Sequence, residues 1–118
     1  MWGLEHGMRL WVCQEPVSMQ NGIRGLSQMV WSWKGHSPAS GDVYVFFSRD
    51  RKMMKALKWD GDGFLMYTKK LAQGRFRKVP KNGDSGVRGL QWDCFYMMMR
   101  GLVPVKMMVE NRFRMASN

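Results

Sequence analysis

The sequence predicts a single α+β domain, a mainly antiparallel β-sheet of hairpins with one N-terminal and one C-terminal helix. Three observations favour this fold. The chain has 118 residues, 45% of them hydrophobic and 24% charged, which is the balance of one small globular domain. Apolar residues have helical spacing in one segment before and one after a middle region, where β-branched and aromatic runs alternate with polar turns. We therefore expect residues 1–118 to form one domain, with residues 106–118 as a basic, partly mobile tail.

The N-terminal part contains one strand and one helix. Arg9–Gln14 predicts a short strand that Pro16 closes. Between Gly22 and Trp33 apolar residues recur at spacings of three and four, which predicts a helix with Asn21 as its cap. The residues of that apolar stripe are Ile23, Leu26, Met29, Val30 and Trp33.

Two hairpins are predicted to follow. Val43–Phe47 is a β-branched and aromatic run, and the polar loop 48–52 separates it from a second strand at Met53–Trp59. The turn Asp60–Gly63 has two aspartates and two glycines, which tolerate positive φ angles, so a further strand should run through Phe64–Lys69.

Strand alternation predicts the two faces of this second hairpin. If the turn contains an even number of residues, Trp59 pairs with Phe64 and Leu57 with Met66 or Phe64, and these large apolar groups share one face, which should be core. The opposite face is then a mixed basic and aromatic surface formed by Lys58, Leu65, Tyr67 and Lys69.

The C-terminal part predicts a further strand and the closing helix. Arg75–Pro80 reads as a short or edge strand that ends before the turn-rich segment 81–86. Trp92–Arg100 predicts a helix that Gly101 stops. Its apolar face would consist of Phe95, Tyr96, Met99 and Leu102.

Positive charge dominates the chain and is concentrated in its middle. Nineteen Lys and Arg against nine Asp and Glu give a net charge of +10, which indicates a polyanionic partner such as nucleic acid. Residues 49–81 contain only three acids, so most of the excess falls in the two hairpins and the following segment. We predict nucleic-acid contacts from its eleven basic residues, Arg49, Arg51, Lys52, Lys55, Lys58, Lys69, Lys70, Arg75, Arg77, Lys78 and Lys81. Tyr67 and Phe76 are interleaved with them and could stack on bases. A solvated face or an acidic protein partner would explain the same charge.

Motifs for catalysis are weak or missing, which predicts no enzymatic activity, no cofactor and no metal site. His6 and His36 are isolated, and the sequence has neither a phosphate-binding loop nor a nucleophile elbow. Asp60 and Asp62 could share a divalent ion in a nuclease, but turn chemistry explains both.

The cysteines and the longest apolar run favour a cytoplasmic protein. Cys13 and Cys94 each lie in an apolar stretch, so we expect two reduced, buried thiols. The longest apolar run, Cys94–Met99, is far shorter than the roughly 20 residues of a spanning helix, and the N-terminus has no secretion signal.

Four segments carry a specific likeness: Gly22–Leu26, Gly41–Phe46, Lys55–Phe64 and Tyr67–Phe76. In this order and spacing they resemble the small Orf2-like accessory protein of the IS66 insertion-sequence family, over roughly residues 2–102. The resemblance implies a non-catalytic accessory factor of transposition that works beside a separately encoded transposase. The family supplies no catalytic or binding residues to carry over. One departure is at residues 18–21, where the family usually has Asp-Met-Arg-Lys and this chain has Ser-Met-Gln-Asn, so no ionic role is expected there.

These observations give one leading hypothesis and two alternatives. The basic hairpins would hold DNA, with no or weak sequence specificity, near the transposase. In the first alternative the protein is an adaptor that docks on the transposase through a basic or Met-rich face, without direct DNA contact. In the second it is a metal-dependent nuclease.

Overall fold

Five strands and two helices make up residues 7–99, the part of the chain that the computed structural model describes. Their bounds are β1 Leu10–Cys13, α1 Ile23–Trp31, β2 Val43–Phe47, β3 Met53–Trp59, β4 Phe64–Lys70, β5 Val87–Leu90 and α2 Trp92–Met99. The strands form one sheet in the order β4-β3-β2-β1-β5. Every neighbouring pair is antiparallel except β1 and β2, which run parallel. This confirms the predicted α+β fold with a helix in each half.

The two predicted hairpins are present, and in the second the pairs are Trp59 with Phe64 and, of the two partners expected for Leu57, Met66. The backbone N–H of Asp60 donates to the carbonyl oxygen of Gly63 at 2.8 Å, which closes the turn between β3 and β4. Gly61 has a φ of +90°, a left-handed conformation that glycine adopts without steric cost.

A helix packs on each face of the sheet, so the sheet has two apolar cores. All five residues of β2 are buried, as expected for a central strand covered on both sides. Side chains of alternate residues enter different cores because successive strand residues point to opposite faces. The α1-side core contains Leu26, Val30, Tyr44, Phe46 and Leu57, and Phe64 and Met66 pack against it. The α2-side core contains Val43, Val45, Phe47, Met54, Ala56, Phe76, Phe95, Met98 and Met99.

The prediction of an open basic and aromatic surface on β3 and β4 is wrong, because that face of the hairpin is covered. The side of the hairpin that carries Lys58, Leu65, Tyr67 and Lys69 is the side covered by α2 and by the segment that follows β4. Tyr67 is half-buried and packs against the α2-side core, as Leu71 and Val79 also do. Alternation predicted which residues share this face, but not that the later chain would cover it.

The helix α1 follows the predicted apolar stripe, with a different start. Leu26 and Val30 are buried, Met29 and Trp33 pack at the edge of the same core, and Ile23 is 38% exposed. The expected cap at Asn21 is wrong. Gly22 is the N-cap residue, so the helix has no side-chain capping bond at its start. The Asn21 side-chain amide instead donates to the carbonyl oxygen of Ser18 at 3.0 Å.

The fifth strand is not where the sequence indicates it. Arg75–Pro80 forms no strand, and β5 lies at Val87–Leu90, antiparallel to β1. The segment Arg75–Pro80 instead places Phe76 in the α2-side core. The Phe76 N–H donates to the carbonyl oxygen of Arg51 at 2.6 Å. The segment Val87–Leu90 has one β-branched residue and a glycine, so its strand conformation depends on pairing with β1 rather than on local propensity.

The helix α2 begins at the predicted residue and buries Phe95, Met98 and Met99. Tyr96, predicted on its apolar face, is 36% exposed. Cys94 is also exposed, which corrects the expectation that both thiols are buried, whereas Cys13 is buried and both cysteines are free. Leu102, the predicted stop at Gly101 and the predicted tail 106–118 lie outside the described residues. Neither described helix combines the length and apolar character needed to cross a membrane.

Candidate nucleic-acid interface

The turn between β2 and β3 is held in shape by its own polar groups. The Ser48 hydroxyl donates to Oδ1 of Asp50 at 2.7 Å, and the Lys52 N–H donates to the same oxygen at 3.1 Å. The Met53 N–H donates to the Ser48 hydroxyl at 3.1 Å. The hydrogen bond from Ser48, together with that from Lys52, lowers the pKa of Asp50 below its ordinary value of 3.8. The only carboxylate of the turn is therefore bonded within it, while Arg49 and Lys52 are exposed and Arg51 is half-buried.

Arg51 has an unusual backbone conformation in this turn. Its φ is +58°, in the left-handed region that non-glycine residues occupy at a steric cost. The Arg51 N–H donates to the carbonyl oxygen of Ser48, and the Arg51 carbonyl oxygen accepts from Phe76. These two bonds hold the strained residue in place and tie the turn to the segment after β4. Strain of this kind is concentrated at functional sites.

Seven basic residues meet around this turn and define what we call the basic end of the sheet. Arg49, Arg51 and Lys52 come from the turn, Lys70 from the end of β4, and Arg75, Arg77 and Lys78 from the following segment. The hydrogen bond from the Leu71 N–H to the carbonyl oxygen of Lys52, at 2.8 Å, brings the end of β4 beside the turn. The interaction of Arg75 with Asp50 places Arg75 there too.

Two adjoining clefts border the turn, and both are lined by cationic side chains. The smaller, about 310 Å³, is lined by Arg49, Arg51, Arg77 and Lys78 among others. The larger, about 830 Å³, is lined by Arg49, Lys52 and Lys70. Arg49 borders both clefts, so one extended anion could contact both sides of the turn. Arginine and lysine are the side chains best suited to bind phosphate.

Two carboxylates lie close to the basic end. Asp50 belongs to the turn itself, and Glu15 lines the smaller cleft. Nζ of Lys81 lies 2.6 Å from Oε1 of Glu15, and this contact lowers the pKa of Glu15 and raises that of Lys81. Lys81, one of the predicted contact residues, thus balances a carboxylate at the rim of the cleft. The net charge of the basic end remains strongly positive.

Three of the predicted contact residues are used elsewhere. Lys55 is 8% exposed, and its Nζ donates to the carbonyl oxygens of Met19 and Asn21 at 2.8 and 2.7 Å, which fixes the chain before α1. Lys58 lies at the opposite end of the hairpin, where its Nζ is 3.4 Å from Oδ1 of Asp60.

Lys69 is the third. Its Nζ donates to the carbonyl oxygen of Met99 at 3.2 Å, at the end of α2. The basic end therefore contains seven of the eleven predicted positions, with Lys81 at its border.

The predicted stacking residues do not lie on an open surface. Phe76 has no exposed surface, and its ring centroid is 5.4 Å from that of Phe47 in the α2-side core. A ring enclosed in this way cannot stack on a base, so we exclude Phe76 from the interface. Tyr67 is half-buried against the same core. The sequence signal for Phe76 was its position between basic residues, which does not distinguish a core aromatic from an exposed one.

The β1–α1 connection completes the clefts, and sequence reasoning gave it no functional role. Glu15 and Pro16 line the smaller cleft, and Pro16, Ser18 and Met19 line the larger. Both amide atoms of the Gln14 side chain bond to the backbone of Asn82, which fixes the loop that carries Lys81. Only the tertiary fold brings these residues to the turn. Within residues 7–99 no group of three or more His, Cys, Asp or Glu side chains could hold a metal ion.

Comparison with known proteins identifies related chains. A family model described as IS66 Orf2-like protein matches residues 8–109. The uncharacterized protein y4jC of Sinorhizobium fredii is 34% identical over 102 residues, which cover 86% of each chain. The uncharacterized protein y4hO of the same organism is 30% identical over 69 residues, which cover 58% of this chain and 60% of that protein. No solved structure matches the chain.

Proposed function

Since the chain belongs to the IS66 Orf2-like family, whose members are accessory proteins of transposition, we propose that it holds the phosphate backbone of DNA at its basic end. The observation that carries this proposal is the meeting of seven cationic side chains around two open clefts. Contacts of this kind position a protein on DNA without reading its sequence, because all sequences present the same phosphates. The DNA would thereby be held beside the separately encoded transposase.

The physical signature of such binding is its dependence on salt. Each phosphate that a cationic side chain neutralises releases condensed counterions, and the logarithm of the association constant falls by about 0.9 per contact for each tenfold increase in salt. Five to seven contacts from the basic end therefore predict a slope of about −4.5 to −6.3 with duplex DNA. The slope should be the same for duplexes of unrelated sequence.

A pair of matched variants tests whether the basic end is the surface used. Arg49→Gln with Lys78→Gln removes one arginine and one lysine that line the clefts. Arg24→Gln with Lys34→Gln removes the same charges from exposed positions on α1 and in the loop after it, outside both clefts. Fluorescence anisotropy with a labelled duplex at low salt should show a large loss of affinity in the first variant and a small one in the second. Equal losses in both, or no binding by the wild type, would exclude the proposal.

An exposed tryptophan favours a second candidate function, direct docking on the transposase. Trp31 at the end of α1 is 62% exposed, and tryptophan is enriched at the centres of protein interfaces. Co-purification of the two proteins after nuclease treatment, lost in Trp31→Ala, would support an adaptor. An association that disappears with the DNA would exclude it.

A further inference from the structure

β4 is an edge strand whose outer side has no partner among residues 7–99. The sheet order places it at one end, and its seven residues include neither proline nor glycine. The stretch Phe64–Thr68 also has no charge. Natural proteins protect long edge strands with prolines, bulges or charges, because an unprotected edge is a template for pairing with another strand. The only charges of β4 are Lys69 and Lys70 at its C-terminal end.

The hydrogen bonds at both ends of the β3–β4 hairpin show which backbone groups face outward. The Asp60 N–H donates to Gly63, and the Leu71 N–H donates to Lys52, so both of these opposed pairs are hydrogen-bonded. Between them, hydrogen-bonded and non-hydrogen-bonded pairs alternate along the antiparallel ladder. Residues 65, 67 and 69 therefore direct their N–H and C=O groups to β3. The groups of Phe64, Met66, Thr68 and Lys70 point to the free edge, and no hydrogen bond within residues 7–99 uses them.

The charges along this edge are arranged for pairing with an identical strand in the antiparallel direction. Asp62 precedes β4 and Lys70 ends it, and both side chains are exposed, whereas Asp60 is bonded to Lys58 and Lys69 to the Met99 carbonyl oxygen. Two parallel copies would place lysine beside lysine, whereas antiparallel copies place the acidic end of each strand beside the basic end of the other. Opposite charges across a strand pair stabilise it, and like charges destabilise it.

Backbone geometry restricts the register of this pair. Only outward-facing residues can exchange hydrogen bonds, so even-numbered positions must pair with even-numbered positions. A two-fold axis at Met66 pairs Phe64 with Thr68 of the second copy and Asp62 with Lys70 of the second copy. That register uses the uncharged stretch and matches the charges at both ends.

We propose that two copies of this protein join through their β4 edges, antiparallel and centred on Met66, to form a continuous ten-stranded sheet. The symmetric contact is of the kind that closes as a dimer and does not propagate. Lys70 and Lys70 of the second copy would lie eight residues apart, about 26 Å along the strands. The two basic ends would thus lie at opposite ends of the joined sheet. The dimer itself does not depend on the proposed DNA contact.

Sedimentation equilibrium of the full chain without nucleic acid tests the proposal over about 1 to 500 µM, the range in which small interfaces associate. Thr68→Pro removes an outward N–H while leaving the donors of the β3–β4 ladder in place, and Thr68→Val is its matched control. The wild type and Thr68→Val should dimerise, and Thr68→Pro should remain a monomer with an unchanged circular dichroism spectrum.

A charge swap tests the register with exposed side chains and does not depend on the tolerance of β4 for proline. Asp62→Lys should weaken the dimer about tenfold, because each dimer loses two attractive pairs and gains two repulsive ones. Adding Lys70→Asp should restore it. Monomers at every concentration, or a wild-type dimer whose dissociation constant Asp62→Lys leaves unchanged, would overturn the proposal. Lys70 also lines the larger cleft, so sedimentation is carried out without nucleic acid, and neither result then bears on whether the basic end binds DNA.

Discussion

Replacing Lys55 by methionine separates a structural lysine from those proposed to bind DNA. Lys55 is 8% exposed and donates to two backbone carbonyl oxygens, those of Met19 and Asn21. Hydrogen bonds from a charged donor contribute roughly 1.5–3 kcal/mol each, but removal of a buried charge also relieves its desolvation cost. Methionine keeps most of the aliphatic volume. We therefore expect the free energy of unfolding to fall by about 1–3 kcal/mol, which for a domain of this size lowers Tm by about 4–12 °C.

The assay pairs thermal melting with DNA binding and uses Lys52→Met as its control. Lys52 is exposed, lies on the same hairpin and lines the larger cleft. Lys52→Met should leave Tm within about 2 °C of the wild type, since surface substitutions change stability little, and should reduce the salt slope by about 0.9. Lys55→Met should lower Tm and leave the salt slope unchanged. A Lys55→Met protein that melts like the wild type but binds DNA with a smaller slope would refute this assignment.

Two further predictions concern stability. Phe76→Ala should lower the free energy of unfolding by about 3–5 kcal/mol in chemical denaturation, because the ring is fully buried; a loss below about 1 kcal/mol would contradict its place in the core. Asp50 has a pKa below 3.8 in the folded state, so its carboxylate contributes stability above that pH and the contribution is lost as the pH falls through the folded pKa. Asp50→Asn should therefore melt below the wild type at pH 6, and the difference in Tm should shrink as the pH is lowered below 3.8; a difference that does not shrink in acid would exclude the charge of Asp50 as its cause.

Local patterns predicted the hairpins well because the relevant interactions are close in sequence. The turn at Asp60–Gly63 fixes the register, and alternation then places Leu57 and Met66 on one face. The apolar stripe of α1 likewise identified Leu26 and Val30 as core residues. Each of these predictions needed only neighbours along the chain.

The errors concern residues whose environment is set by distant parts of the chain. Phe76 and Tyr67 were predicted to stack on bases because they lie between basic residues in the sequence. In the fold Phe76 is part of the α2-side core and Tyr67 packs against it. β5 forms because β1 offers an edge to Val87–Leu90, which local propensity does not show. Lys55 could not be distinguished from Lys52 by sequence, since only the fold brings the carbonyl groups before α1 to its Nζ.

The central claim is that the basic end, rather than net charge alone, holds the DNA backbone. The most direct measurement is the slope of the logarithm of the association constant against the logarithm of salt concentration, for the wild type and the two charge-matched variants. Arg49→Gln with Lys78→Gln should reduce the magnitude of the slope by about 1.8, and Arg24→Gln with Lys34→Gln should leave it unchanged. The same reduction in both variants would contradict the claim, because it would mean that DNA contacts cations all around the molecule.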